Sequence, residues 1–465
     1  MSGLLVRAAT LLDGRRVDVR VRGDRVVEVG PHLDRDGEEV LDGRGGTLLP
    51  GLVDHHLHLH ALAAAELSVR CGPPAVTTAA ELRRALTAAP TGGDGWVRGT
   101  GYAESVAGDL DAAALDRLHA ARPVRVQHRS GALWTVNSAG TALLDLAGAP
   151  HPGVERDADG RPTGRLWRAD DWLRSRLGGS GLPDLAGIGR RLTRLGITAV
   201  TDATPDLTPA AVRALAAARA AGDLPQAVHL LGAPLGTVLP AELTAGPLKI
   251  VLADSGLPDL EALVERIRGA HAAGRPVAVH VVTREALALL LAALDLAGGL
   301  VGDRIEHGAL VPAGIVADLA RRGLRVVTQP GFLADRGDDY LRDVPAADHE
   351  DLYRAASLVV GGVPLALSSD APYGPLDPWR VVAAAVDRRT RSGAVVAPAE
   401  RLDADTALAA YLAPTGDPGG LPREVVPGAA ADLVLLDGAP RDVLADPAAG
   451  RVRAVTVGGR LAHAR

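Results

Sequence analysis

The chain has 465 residues, 47% of them hydrophobic, and a formal net charge of -6. That length buries a sizeable core, either one large α/β barrel or two to three smaller domains. The mild acidity gives no electrostatic footprint for nucleic acid or an anionic membrane. A bilayer span needs about 18 uncharged apolar residues in a row, and none occurs.

The first 45 or so residues alternate apolar and polar side chains through Val17, Asp18, Val19, Arg20 and Val21, and again from Arg25 to Val29, with Gly-Asp and Asp-Gly turns between. They predict short strands. The last 40 return to that texture in ADLVLLDG and RVRAVTVGGR. Residues 1–50 and 413–465 are therefore expected to build one small β-sandwich domain together. Between them, Ala/Leu/Arg-rich helices alternate with eight apolar runs: GLVDHHLH (51–58), ITAVTD (197–202), QAVHLLG (226–232), PLKIVLAD (247–254), PVAVHVV (276–282), DRIEHG (303–308), LRVVTQ (324–329) and PLALSSD (364–370). Such alternation predicts a parallel sheet, and eight strands close a (β/α)8 TIM-like barrel over 51–412. GWVRGTGY (95–102) and PVRVQH (123–128) fit a long insertion after strand 1, covering about 62–190.

Six residues sit at or near the C-terminal ends of these runs, where a barrel carries its active site: His56, His58, Lys249, His280, His307 and Asp370. Residues two apart on a strand point the same way, so His56 and His58 face one site together. Four imidazoles, an aspartate and a modifiable lysine supply enough donors for two zinc-like ions. The same alternation turns His55 out of the barrel and Glu306 away from His307, toward a helix. His60 lies past the pair, and His229 packs in the interior.

Lys249 is the one lysine among 50 basic residues. Arginine replaces lysine wherever a positive charge suffices, but its guanidinium never offers a neutral amine. A surviving lysine points to a Schiff base, a general base or a metal-bridging carbamate, with an ordinary salt bridge as the plain alternative. A lone cysteine, Cys71, excludes an intramolecular disulfide and a cysteine-based zinc knuckle. The opening MSGLLVRAATLLDGRR lacks the pattern of a signal peptide, so a cytoplasmic location is expected.

GLVDHHLH following LLPG resembles the opening motif of the amidohydrolase superfamily, in which a PG-(I/L/V)-D-x-H-x-H strand supplies two metal ligands. The resemblance continues in PVAVHVV, RIEHG, LALSSDAPYGPLDPW and VVPGAAADLVLLD. WTVNSAG (134–140), DADGRPTGRL (157–166) and LGITAVTDA (195–203) are similar to the branch that includes N-substituted formamide deformylase. The resemblance implies that His56 and His58 bind the more buried metal and His280 and His307 the more exposed one. It makes Lys249 a carbamate bridging both ions, and Asp370 a ligand that also handles protons. Two departures stand out. KIVLADSG replaces the branch's KxFxDG, and Ala132, in GALWTVNS, stands where the branch often has a histidine.

The expected cofactor is a divalent metal, two zinc ions per chain, whose bound water falls from a pKa of about 15.7 to near 7 and attacks as hydroxide. Asp370 would take the proton and deliver it to the leaving nitrogen. The substrate is expected to be a small-molecule amide other than a peptide: linear N-acyl, N-formyl or cyclic. Gln329 and Tyr373 are candidate substrate contacts, while Ser368 and Ser369 suit turn hydrogen bonds equally well. His128, Arg129, Trp134 and Asn137, in the insertion, would roof the pocket. Two alternatives are kept. One is deamination of an amino-heterocycle, with Glu285 as an imperfectly spaced acid; the other is a non-catalytic binding protein. No nucleic-acid or membrane partner is expected, and a homo-oligomer is open.

Overall fold

The apolar runs form the strands of two parallel ladders in the computed structural model, which describes residues 3–90, 95–177, 182–253 and 256–465. One ladder runs in the order Leu243–Ala245, Ala227–Leu230, Ile197–Asp202, Leu52–Leu57. The other runs Leu248–Val251, Val277–Val281, Arg304–His307, Arg325–Thr328, Leu365–Leu367. Every neighbouring pair is parallel. Backbone hydrogen bonds join the ladders on both flanks. Lys249 N donates to Leu231 O at 3.0 Å, Asp370 N to His56 O at 2.8 Å and His58 N to Ala371 O at 2.9 Å.

Leu243–Ala245 is an unforeseen strand, since Leu-Thr-Ala carries no apolar run. Asp254, at the end of the PLKIVLAD run, lies outside the described residues. Leu52–Leu57 and Ile197–Asp202 are buried at every position, as parallel strands covered on both faces are. The connecting helices start on side-chain caps that satisfy free N–H groups. Thr208 accepts from Ala211 N ahead of Pro209, and Thr283 accepts from Ala286 N. Gly222 ends the first of these helices at φ 79°, a left-handed conformation that costs glycine nothing.

The two ends of the chain share one sheet. Its order is Arg460–Ala464, Val452–Val457, Leu433–Leu436, Thr47–Pro50, Leu4–Thr10, Arg16–Arg22, Arg25–Gly30, with Glu39–Asp42 added alongside Leu4–Thr10. Val17, Val19 and Val21 face its core with Leu4, Val6, Leu48, Leu433 and Leu435. Asp18 breaks the expected alternation: it is buried because its carboxylate accepts from Ala8 N at 2.8 Å and Leu33 N at 3.0 Å.

Contacts divide the chain into two compact units, Met1–Leu59 with Leu185–Arg465, and His60–Asp184. The second carries its own six-stranded sheet, ordered Val154–Arg156, Pro162–Trp167, Leu133–Val136, Val124–His128, Val97–Tyr102, Val69–Arg70. Trp96, Trp134, Leu146 and Leu166 pack one cluster there, and Leu82, Leu86, Val97 and Leu115 another. Among the described residues no helix is long and apolar enough to cross a membrane.

Candidate metal centre

The Leu52–Leu57 strand delivers His56 into the interior, and His58 follows just past its end. His58 stays in register because its N–H reaches Ala371 O. Asp202, at the end of the neighbouring strand, holds the next turn by accepting from Leu59 N at 2.8 Å and Thr204 N at 3.0 Å. Asp54 accepts from His56 N and Ser369 N, each at 3.2 Å, tying the first and last strands together. Burial pushes that carboxyl up to about 7.

All six residues picked out from the sequence come together. Asp370 Oδ1 lies 3.2 Å from His58 Nε2 and 3.6 Å from His56 Nε2. Lys249 Nζ is 3.4 Å from His56 Nε2. The His307 ring sits 4.8 Å from that of His56 and 4.4 Å from that of His280, centre to centre. Donor atoms of His56, His307 and Asp370 lie within 4.8 Å of one another, so this group could hold a metal ion. Asp370 Oδ1 is buried yet accepts no hydrogen bond among the described residues, as an oxygen meant for a cation would be. The donor set of imidazole and carboxylate suits zinc and similar divalent ions.

Burial, with cationic neighbours adding to it, holds His56 and His307 well below the usual imidazole range, in the neutral form a metal needs. Burial likewise lowers the Lys249 amine to about 8, against the opposing pull of Glu306 and Asp370. Two of the six adopt left-handed backbone, His307 at φ 73° and Asp370 at φ 52°. Such conformations are costly for side chains with a Cβ and gather at functional sites.

The twist at His307 corrects one expectation. Glu306 does not turn away toward a helix. It is fully buried, with one carboxylate oxygen on His56 Nδ1 and the other accepting from Arg304 Nε at 2.5 Å. Strict strand alternation forbids adjacent residues from sharing a side, and the positive φ suspends it. Gln329, expected to touch substrate, is buried instead. Its Oε1 accepts a hydrogen bond from His307 Nδ1 at 2.8 Å, and its amide nitrogen donates to Ser368 Oγ at 2.9 Å and Val327 O at 3.3 Å. His58 Nδ1 meets Thr204 Oγ1 at 3.2 Å. The sequence pattern gives no sign of the parts played by Arg304, Thr204, Asp54 and Asp202. The signal available for Glu306 was the glycine after His307, itself at φ 54°.

Tyr373 keeps its place beside the centre, its ring 5.4 Å from that of His58. Ser369 Oγ accepts from Ala371 N at 3.0 Å, a turn hydrogen bond. His55 is buried in charge range of Arg304, and burial holds it down to about 3; neither ring nitrogen has a hydrogen bond among the described residues. His229 packs against Thr244, with Nδ1 2.8 Å from Oγ1. Glu285, the acid a deaminase would need, is exposed in the first turn of the Arg284–Ala297 helix.

The insertion residues are engaged within their own unit. Asn137 caps the Ser138–Leu143 helix through Gly140 N, accepts from Val124 N and donates to His119 O and Arg122 O, which uses its whole carboxamide. Trp134 is buried and donates to Asp170 Oδ1 at 2.8 Å. His128 joins Ser130 at 2.7 Å and Glu104 at 3.1 Å. Those contacts correct the expectation for Trp134 and Asn137, whose polar groups serve the fold.

A model of the amidohydrolase family matches residues 39–463. The chain belongs to the amidohydrolase family. This amidohydrolase is 26% identical to an N-substituted formamide deformylase of Arthrobacter pascens over 91% of its own length and 90% of that protein. A dihydroorotase of Streptomyces coelicolor is 48% identical across a stretch covering 13% of this chain and 14% of that protein. The fold matches an uncharacterized metal-dependent hydrolase of Pyrococcus horikoshii OT3 with a TM-score of 0.75, at 21% identity over 97% of this chain and 100% of that one. A second such hydrolase, from Pyrococcus furiosus, gives 0.71 at 22% identity, over 94% and 99%. This amidohydrolase is a metal-dependent hydrolytic enzyme acting on carbon–nitrogen bonds.

Proposed function

We propose that this amidohydrolase hydrolyses a small non-peptide amide, a linear N-acyl or N-formyl amine or a cyclic amide, at a centre of two divalent ions. The buried Lys249 amine set against His56 carries this reading. Among the described residues no carboxylate lies within hydrogen-bond distance of Nζ, and an uncompensated buried ammonium is costly. Addition of carbon dioxide resolves that conflict: the ammonium first gives up one proton, the neutral amine then forms a nitrogen–carbon bond and loses a second, and the carbamate carries one negative charge shared by two oxygens. His56 and His58 would hold one ion, His280 and His307 the other, with the carbamate between and Asp370 beside them.

When bound, the ions supply an acidified water and a polarised carbonyl. Zinc suits the donors best. Asp370 takes the proton from water and passes it to the leaving nitrogen. Tyr373 sets one wall for the substrate. The two parallel ladders, joined at both flanks, are read as one closed (β/α)8 barrel, the terminal sheet as a folded-over sandwich, and His60–Asp184 as the insertion after the first barrel strand.

Metal analysis and amine release on a panel of N-formyl, N-acyl and cyclic amides test this reading. Two ions per chain are expected, with turnover on at least one amide class. The variant Lys249→Arg should keep one ion or none and lose more than about 100-fold in activity, since even outer partners of a metal are worth 10–100-fold. Unchanged metal content and full activity in that variant would sink the bridge. Ammonia release from purines or pyrimidines, with no amide turned over, would replace the reaction.

A further inference from the structure

Three imidazole Nδ1 atoms at the centre meet three different partners: Thr204 hydroxyl for His58, Gln329 carboxamide for His307 and Glu306 carboxylate for His56. They do not constrain the rings equally. A hydroxyl donates or accepts, so Thr204 leaves the His58 tautomer open. Gln329 has both of its donors occupied, so its oxygen accepts from His307 as a neutral dipole. Glu306 is the charged partner. An ionised carboxylate only accepts, so His56 carries its proton on Nδ1 and turns a bare Nε2 toward Lys249 Nζ at 3.4 Å and Asp370 Oδ1 at 3.6 Å.

Arg304, 1% exposed, faces Glu306 from two residues away on the same strand and forms an ion pair with it in a dry interior. Arg304 is itself tied to the ligand strand, its Nη2 reaching His55 O at 3.4 Å. The guanidinium thus touches both the carboxylate behind His56 and the backbone that carries His56.

We infer that Arg304 and Glu306 form a positioning pair that locks His56 in its Nδ1–H tautomer and keeps its bare Nε2 turned into the centre. This rests on the metal-centre reading above. The pair acts through His56 and touches neither substrate nor metal. Charge relayed onto a ligating ring strengthens its bond to a cation, and loss of such a partner typically weakens metal binding 10–100-fold.

The test is zinc affinity of the full chain, by competition with a chromophoric chelator, for wild type and Glu306→Gln. Glutamine keeps the volume and an acceptor for Nδ1 but removes the charge. A zinc Kd raised 10–100-fold, with far-ultraviolet circular dichroism of the metal-free protein unchanged, is the expected result. A Kd equal to wild type overturns the inference while leaving the metal centre standing; a wild type that takes up no zinc overturns both. A second measurement needs no variant at Glu306. In metal-free wild type, the 15N shifts of the His56 ring, assigned by their loss in His56→Ala, should show Nδ1 protonated and Nε2 bare. A proton on Nε2 overturns the inference even where Glu306→Gln fails to fold.

Discussion

The strand ends at residues 52–58 and 304–308 feed the same centre by different backbone rules. At the first, His56 and His58 reach the centre with ordinary extended-strand backbone, although the pairing with Ile197–Asp202 shifts register between Asp54 and Leu57. At the second, neighbours Glu306 and His307 both reach the centre because His307 and Gly308 turn left-handed at 73° and 54°. A strand that keeps negative φ supplies ligands two residues apart. A broken one places a ligand and the group behind another ligand side by side.

The largest expected effect breaks the second end from within. Arg304→Met leaves the Glu306 carboxylate buried without its counter-charge, and such losses cost about 3–5 kcal/mol; urea unfolding of the metal-free protein measures it. Next is Gly308→Ala, which forces a Cβ into left-handed backbone at about 1–2 kcal/mol. The added Cβ meets Val311 and Val326 at 3.4 Å, ordinary contact, so the conformation and not crowding sets that cost. Gln329→Ala removes the acceptor on His307 and should loosen zinc about 10-fold in a chelator titration. Smallest is Thr204→Val at the first end, where His58 is half-buried and its partner is a hydroxyl: a zinc Kd within a few-fold of wild type. If Thr204→Val weakened zinc as much as Gln329→Ala, the contrast between the two ends would collapse.

The parts legible in the sequence are those that follow from periodicity. Strand runs such as ITAVTD and PVAVHVV coincide with observed strands to within one or two residues, because continuous β-branched stretches have little else to form. His56, His58, His280, His307 and Asp370 stand out because each sits at or near the end of such a run, and Lys249, inside one, because it is the one lysine of the chain. What escaped depends on single dihedral angles and long-range pairing. Nothing in RIEHG gives the sign of φ at His307, so Glu306 was turned the wrong way. Gln329 looked like a substrate contact because a polar residue at a strand end suits substrate and ligand support alike. Asn137 lay in a motif that resembles a functional one, yet its carboxamide closes a helix start and two backbone gaps.

The shared terminal sheet sets a timetable for synthesis. Thr47–Pro50 pairs with Leu433–Leu436, so its partner leaves the ribosome only after all the chain between them has been made. At roughly 5–20 residues per second, that wait is on the order of 20–80 s. Throughout it the nascent amino-terminal strands present an open edge, the kind that recruits stray chains. Leu433–Leu436, translated long after Thr47–Pro50, therefore also acts as the seal on it.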